Sequence, residues 1–315
     1  MLRDIQRIAI INRGEPAMRF IRGVRDYNRS HQTRIRTVVF FTAPDRRARF
    51  VQEADEAFNL GPATFTDPRD GQRKAAYLDM AGLEKSLTLS GVDAVWPGWG
   101  FASERAEFVD LCSRLGLVFI GPGSSAMRRL GDKINAKLLA EELGIPVIPW
   151  GGGSALTMEA ALTQASGLSY PVVIKATAGE GGRGIRKVNS AAEFAAGFEA
   201  ATAEAVRFFS NPVVYVERWL EGVRHVEVQI LADHHGTTWA VGTRDCSIQR
   251  RRQKVLEEAP APIAPETERA MREAGSAFAA PPPIRMPAPS NCFMTRRRGV
   301  SPSWRSTCGS RWSMR

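Results

Sequence analysis

Short β-branched runs alternate with stretches of helical apolar spacing through the first 130 residues. This alternation restricts the fold more than any other feature of the 315-residue chain. Residues 7–11 (RIAII), 34–42 (RIRTVVFFT), 93–96 and 117–120 read as strands. Residues 17–27, 77–89 and 106–115 read as the helices between them, and Pro16 suits a first helical turn. Parallel strands need crossover connections of this kind, so the pattern predicts an α/β unit with its parallel sheet covered on both faces.

The second half reads differently. Helices are expected over 125–143, with Gly144 as a C-cap, and over 158–166, 191–209 and 266–279. Strands are expected at 146–150, 171–175, 185–188, 213–217, 225–232 and 238–243, with a turn at 233–236. No internal repeat is visible. From Pro281 onward the chain has six Pro, seven Arg and no acid, which on composition predicts a disordered basic tail. That tail carries +7 of the net charge of +10, leaving +3 for residues 1–280. The body is not a polycation, and its charge calls for neither nucleic acid nor a membrane. No uncharged apolar run reaches transmembrane length, and residues 1–16 read as a first strand, not a signal peptide. Four Cys without a CxxC or metal spacing fit a reduced, cytoplasmic protein.

Several segments carry chemistry-bearing residues. Glycines 179, 181, 182 and 184 follow the strand PVVIK and let a backbone approach phosphate closely, though a plain hairpin reads equally well. No Lys-Ser or Lys-Thr follows, and a strand, not a helix, comes next; neither the P-loop nor the dinucleotide fingerprint of a dehydrogenase fits. Lys175 ends the strand before that loop, and Lys133 follows Gly131-Asp132. Either ammonium suits phosphate oxygens or plain solvent. With 36 Arg and only seven Lys in the chain, a Lys closing an apolar strand is less easily incidental. Glu217-Arg218-Trp219-Leu220 leaves an apolar strand and offers either an adenine-binding backbone edge or a surface charge pair. His225, Glu227 and Gln229 share one face of an alternating strand, solvated or lining a charged cleft. Residues 244–254 hold five positive charges and one negative, an anion site for phosphate or bicarbonate or an exposed basic loop. Cys246 reads as a packing residue.

Taken in order, INRGEPA (11–17), WPGWGFASE (96–104), FIGP (119–122), GDKINAK (131–137), YPVVIKATAGEGGRGIRKV (170–188), VYVERWL (214–220), RHVEVQILAD (224–233) and RDCSIQRRRQKVLEEAPAP (244–262) resemble the biotin carboxylase family of ATP-grasp ligases. The resemblance implies an α/β fold with a Rossmann-like pre-ATP-grasp domain over 1–123, an incomplete ATP-grasp domain over 124–280, and a tail over 281–315. It implies ATP-driven activation of bicarbonate as carboxyphosphate and carboxylation of carrier-linked biotin. By the same resemblance Lys133 and Lys175 hold nucleotide phosphates, Gly181 and Gly182 belong to a closing loop, and Glu217, Arg218, Trp219 and Leu220 form the adenine hinge. His225 and Gln249 line the nucleotide site, and Lys254 serves the bicarbonate and phosphate end. ATP, with Mg or Mn, is the implied cofactor set. A biotin carboxyl carrier domain and a carboxyltransferase, on the same or a separate chain, are the implied partners of an often oligomeric enzyme. A carbamoyl-phosphate synthetase-like ligase and a nonenzymatic nucleotide-binding module are the alternatives; RDCSIQRRRQK and EEAPAP favour the first reading.

The chain departs from the family at Arg252, where His is usual, at Glu180 in a loop commonly all glycine, and at Trp96 and Trp99. The larger departure is the tail. The family's metal-binding acids should follow residue 280, in Asn-Ala-Gly-Thr-Val-Glu and then Met-Glu-Val-Asn. Neither is present, yet residues 301–315, back-translated and read one nucleotide earlier, give Phe-Thr-Phe-Met-Glu-Val-Asn-Met-Arg-Leu-Gln-Val-Glu-His-Ala, and residues 286–291 give Asn-Ala-Gly-Thr-Val-Glu. The expected continuation, Val-Thr, puts a stop codon after Arg315. A frameshift between about residues 279 and 285 is therefore expected. Its consequences would be no metal ligands, an unpaired sheet edge and an unstable, inactive product.

Overall fold

The computed structural model describes residues 5–177, 184–209, 211–233, 235–250 and 253–279, and the backbone of 289–295 and 304–305. The chain divides into two compact units after Arg128.

The first unit runs β1 (Arg7–Ile10), α1 (Gly14–His31), β2 (Arg36–Phe41), α2 (Arg49–Glu53), β3 (Glu56–Asn59), β4 (Thr64–Thr66), β5 (Arg73–Ala75), α3 (Met80–Ser90), β6 (Ala94–Trp96), α4 (Ala106–Arg114) and β7 (Val118–Phe119), with α5 (Ser124–Gly131) after them. Its sheet has the order β3-β2-β1-β6-β7, and every pairing is parallel. The two-residue period of the strands sorts the core. Ile8, Ile10, Val39, Phe41 and Trp96 pack with Ala17 and Ile21 of α1 and Phe50 of α2. Ala9, Val38, Phe40 and Val95 pack against Leu83 and Leu87 of α3 and Phe108 of α4. Both faces are covered, as the alternation predicts. Burial of each such aliphatic or aromatic side chain is worth about 1.5–3 kcal/mol. The edge strand β3 and the β4–β5 hairpin escaped the sequence reading: β3 alternates half-buried and exposed residues around a single Phe58 and lacks a β-branched run.

The second unit runs α6 (Lys133–Glu142), α7 (Met158–Ser166), β8 (Val172–Ala176), β9 (Ile185–Val188), α8 (Phe194–Phe209), β10 (Val214–Arg218), β11 (Val223–Ala232), β12 (Thr238–Asp245), β13 (Gln249–Arg250), β14 (Gln253–Lys254), α9 (Pro265–Ala279), β15 (Pro289–Thr295) and β16 (Trp304–Arg305). Antiparallel β10-β8-β9 packs Val172, Ile174, Val214 and Val216 on Phe194, Phe198 and Ala201 of α8. The antiparallel sheet β12-β11-β15-β16 packs Val226, Val228, Ile230 and Ala240 on Met271 of α9.

Three expectations need correction. The helical stretch 125–143 breaks at Asp132, whose carboxylate accepts from the amides of Ile134 at 2.9 Å and Asn135 at 2.8 Å and starts α6 afresh. Residues 146–150 do not form a strand with ladder partners; Trp150 makes an isolated bridge to Glu217. Of the tail, expected to be disordered and to leave an unpaired edge, residues 289–295 instead supply β15 to β11, in a register from Val223↔Thr295 to Gln229↔Pro289, and apart from 304–305 the rest of it lies outside the described residues. A strand edge offers main-chain donors and acceptors, and the ladder they form makes little demand on side-chain identity.

Candidate functional site

The second unit brings Lys175, Glu217, His225, Gln249 and Lys254 together around two buried carboxylates. The first is Glu217 on β10. Antiparallel pairing of β10 with β8 sets Tyr215 opposite Lys175 and Glu217 opposite Val173. Lys175 hydrogen-bonds Glu217 Oε1. From α6, Lys137 Nζ lies 3.0 Å from Glu217 Oε2 and 5.4 Å from the centre of the Trp150 ring. Trp150 in turn donates to Glu141 at 2.7 Å. The side chains of Glu217 and Lys137 are each 2% exposed, whereas that of Lys175 is 25% exposed. Burial pushes the Glu217 carboxyl up, but the charges of Lys175 and Lys137 outweigh it and hold it below its ordinary range. Two ammoniums on one carboxylate leave the group with a net positive charge.

The second carboxylate is Glu227 on β11, fully buried. His225 Nε2 lies 3.2 Å from it and Arg244 Nη2, from β12, 2.6 Å; Lys254, from β14, hydrogen-bonds its Oε1. Arg244 also reaches Glu257 at 2.7 Å. The two-residue period of β11 puts His225 and Glu227 on one face, and the β12 register sets Arg244 opposite Glu227. In the β13–β14 hairpin Gln249 pairs with Lys254, and the Gln249 amide lies 2.8 Å from His225 Nδ1. Burial pushes Glu227 up, yet bonds from His225 and Lys254 and the charges of Lys254 and Arg244 bring it to about 2.

His225, Gln249 and Lys254 are thus brought together, and Lys175 meets Glu217. Lys133 stands on the first turn of α6, after the Asp132 cap. In the segment 217–220 the Arg218 amide donates to Pro149 O at 2.8 Å and the Trp219 amide to Pro171 O at 2.9 Å. The Trp219 ring lies 5.3 Å from Lys187 Nζ, and Leu220 is half-buried. Gly181, Gly182 and Arg252 lie outside the described residues. The basic stretch 244–254 is partly neutralised within the protein, since Arg244 and Lys254 face Glu227 and Glu257. Cys246 is buried, and burial pushes its thiol up to about 11, which suits packing and not nucleophilic chemistry.

Sequence reasoning missed Lys137 and the hub role of Glu227. A signal for Lys137 was present: it sits in the buried stripe of α6 with Ala136, Leu139 and Ala140, where a charged residue needs a partner. Among the described residues, no group of three or more His, Cys, Asp or Glu could hold a metal ion, and no helix is long and apolar enough to cross a membrane.

Comparison with known proteins follows the same two-part division. Residues 4–127 match the family model "Biotin carboxylase, N-terminal domain", and 132–280 match "Carbamoyl-phosphate synthase L chain, ATP binding domain". Biotin carboxylase 1 of Bacillus subtilis is 41% identical over 82% of this chain and 54% of its own length. The biotin carboxylase–beta-gamma-ATP complex from Campylobacter jejuni superposes with a TM-score of 0.86 at 31% identity, covering 96% of this chain and 65% of that one. The biotin carboxylase domain dimer of Hydrogenobacter thermophilus 2-oxoglutarate carboxylase, a complex with MgADP, ADP and bicarbonate, gives 0.82 at 31% identity over 96% and 63%. The chain spans about half the length of the curated biotin carboxylases it matches.

Proposed function

We propose, because this chain belongs to the biotin carboxylase family, that its second unit is the nucleotide-binding part of an ATP-dependent ligase that carboxylates carrier-linked biotin with bicarbonate. The observation that carries the reading is the pair of buried carboxylates that aim cations: Glu217 orients Lys175, and Glu227 orients His225, Arg244 and Lys254. Fixed cations of this kind stabilise the negative charge that gathers when phosphate passes from ATP to bicarbonate. In this reading Lys133 and Lys175 hold phosphates, residues 217–220 meet the adenine, His225 and Gln249 line the nucleotide site, and Lys254 serves the bicarbonate end. Gly181 and Gly182, matching the family's closing loop, and Arg252, matching a position where the family usually has His, lie outside the described residues. The described residues do not fit the family's Mg or Mn, because they contain no cluster of three or more His, Cys, Asp or Glu that could hold the ion. Biotin arrives on a carrier domain, and a carboxyltransferase takes the product onward. A cytoplasmic setting agrees with the two described cysteines, Cys112 and Cys246, being unpaired.

Calorimetric titration of the 315-residue chain with ATP tests the reading. Binding is expected, weakened about tenfold or more in Lys175→Met. No binding by the unaltered chain overturns it.

The metal ligands belong, in our reading, to a frame restored near residue 280. Sequencing the gene and its transcript from codon 270 past codon 315 tests this. The expected result is a coding register shifted by one nucleotide over 286–315 that encodes the acidic motif. A gene that lacks the motif in the shifted frame sinks the proposal. The frame-restored protein is expected to release phosphate from ATP with bicarbonate and biotin, and the 315-residue chain is expected to be inactive.

A further inference from the structure

Lys137 has no place in the roles assigned above, yet it is the most deeply buried cation on α6. Its side chain is 2% exposed, and its ammonium rests between Glu217 Oε2 at 3.0 Å and the Trp150 ring at 5.4 Å. A buried ammonium costs several kcal/mol unless it is paired. Among the described residues Lys137 makes one ion pair, with Glu217, and that carboxylate is shared with Lys175. The two lysines are not equivalent. Lys175 is the more exposed and is the penultimate residue of β8, the strand that precedes the glycine-rich segment. Lys137 sits in the apolar stripe of α6, fixed among Ala136, Leu139 and Ala140.

We propose that Lys137 is a positioning residue: a permanent counter-charge that neutralises Glu217 from behind, so that Lys175 is free to leave the carboxylate for an anionic phosphate. The inference rests on the nucleotide reading of Lys175 and deepens it. Without Lys137, moving Lys175 would strand a buried, unpaired carboxylate, and nucleotide binding would have to bear that cost. With Lys137 in place, Glu217 stays paired in both states. Lys175 then exchanges one anionic partner for another. The other titratable groups near Glu217 do not substitute for Lys137. The Tyr215 phenol, also on β10, is buried and held neutral, its ionisation opposed by burial, Glu217 and Asp132. Glu141, on α6, is an acid occupied by Trp150.

Two measurements on the full 315-residue chain test this, one without ligand. The first is competitive acetylation of lysines, read peptide by peptide by mass spectrometry. In Lys137→Met the whole pull of Glu217 falls on Lys175. Acetylation of Lys175 is expected to slow on the order of threefold to tenfold. It should recover in the double variant Lys137→Met/Glu217→Gln. A merely structural lysine predicts the opposite, because loosening the site speeds acetylation. Unchanged or faster labelling of Lys175 in Lys137→Met overturns the inference.

The second is ATP titration by calorimetry in buffers of different ionisation enthalpy. Lys137→Met is expected to bind ATP at least about tenfold more weakly, to take up a proton on binding as Glu217 is stranded, and to bind more tightly as pH falls. The unaltered chain and the double variant are expected to bind without proton uptake. If the unaltered chain binds ATP and Lys137→Met binds equally well without proton uptake, the inference falls while the nucleotide reading stands. If the unaltered chain does not bind ATP, both fall. Should Lys137→Met not fold, the comparison of Lys137→Arg with the double variant decides. The arginine is expected to keep Lys175 labelling within about twofold of the unaltered chain, and a larger slowing overturns the proposal.

Discussion

Glu227 gathers three donors on one buried carboxylate: His225 from its own strand, Arg244 from β12 and Lys254 from β14. Its carboxyl, ordinarily near 4.5, is brought to about 2 in the folded chain. A group depressed in this way stabilises the fold in full above pH 4.5 and ceases to do so as pH falls toward 2. The contribution is about 3 kcal/mol. Glu227→Gln is expected to lower unfolding stability at pH 7 by about 3–5 kcal/mol, because Lys254 loses its anion and Arg244 keeps only Glu257. It is also expected to flatten the loss of stability between pH 4.5 and 2. Urea unfolding at a series of pH values checks both. At this scale the sequence was legible where a Lys follows an apolar run or a polar residue repeats with the strand's period, as with Lys175 and His225, whereas Lys254 was marked only by the basic stretch around it and by the family resemblance. It was silent about which carboxylate each cation would meet. Glu227 meets Arg244 and Lys254 only through pairings across strands that lie 17 and 27 residues apart in the chain.

Four of the five strands of the first sheet, β1, β2, β6 and β7, were readable because short apolar runs appear where both faces of a strand are covered; the edge strand β3 was not. The break at Asp132 was harder to see. Residues 124–142 have helical apolar spacing throughout, and only the cap geometry separates α5 from α6. Asp132→Ala removes the acceptor for two amides at the start of α6. The expected cost is about 1 kcal/mol, read as a fall in the denaturant midpoint at unchanged slope. Because α6 carries both Lys133 and Lys137, the same change is expected to weaken ATP binding modestly. Gly184 marks another element boundary. Its φ is +65°, and a Cβ there would stand 2.8 Å from the Ala176 Cβ. Composition alone marks the segment as glycine-rich without saying which glycine the backbone cannot replace. Residues 146–150 misled for the opposite reason: an apolar run containing two prolines has strand composition, while Val147 and Trp150 make no more than isolated bridges.

Across the whole chain, charge is distributed very unevenly. Residues 281–315 hold seven Arg and no acid, against a net +3 for the other 280. The full chain is expected to retain duplex DNA weakly at low salt and to release it as salt rises, with the logarithm of affinity falling linearly against the logarithm of salt concentration. Removing 281–315 is expected to abolish that retention. It also bares the edge of β11 that β15 now occupies, so the shortened chain is expected to aggregate faster by light scattering. Retention unchanged by the deletion would mean that the body, and not the tail, binds the polyanion. Composition identified the tail as basic and acid-free. It could not identify the strand within it, because strand pairing at an open edge draws on the amide backbone that every residue brings.

That property of β11 has a bearing on how errors in a gene become visible in a protein. A hydrogen-bond ladder checks spacing and direction, but it does not check spelling. If, as proposed, the reading frame changes past α9, the main chain of 289–295 would still pair with β11. Shape is the wrong place to look for such damage; it shows only in the chemistry.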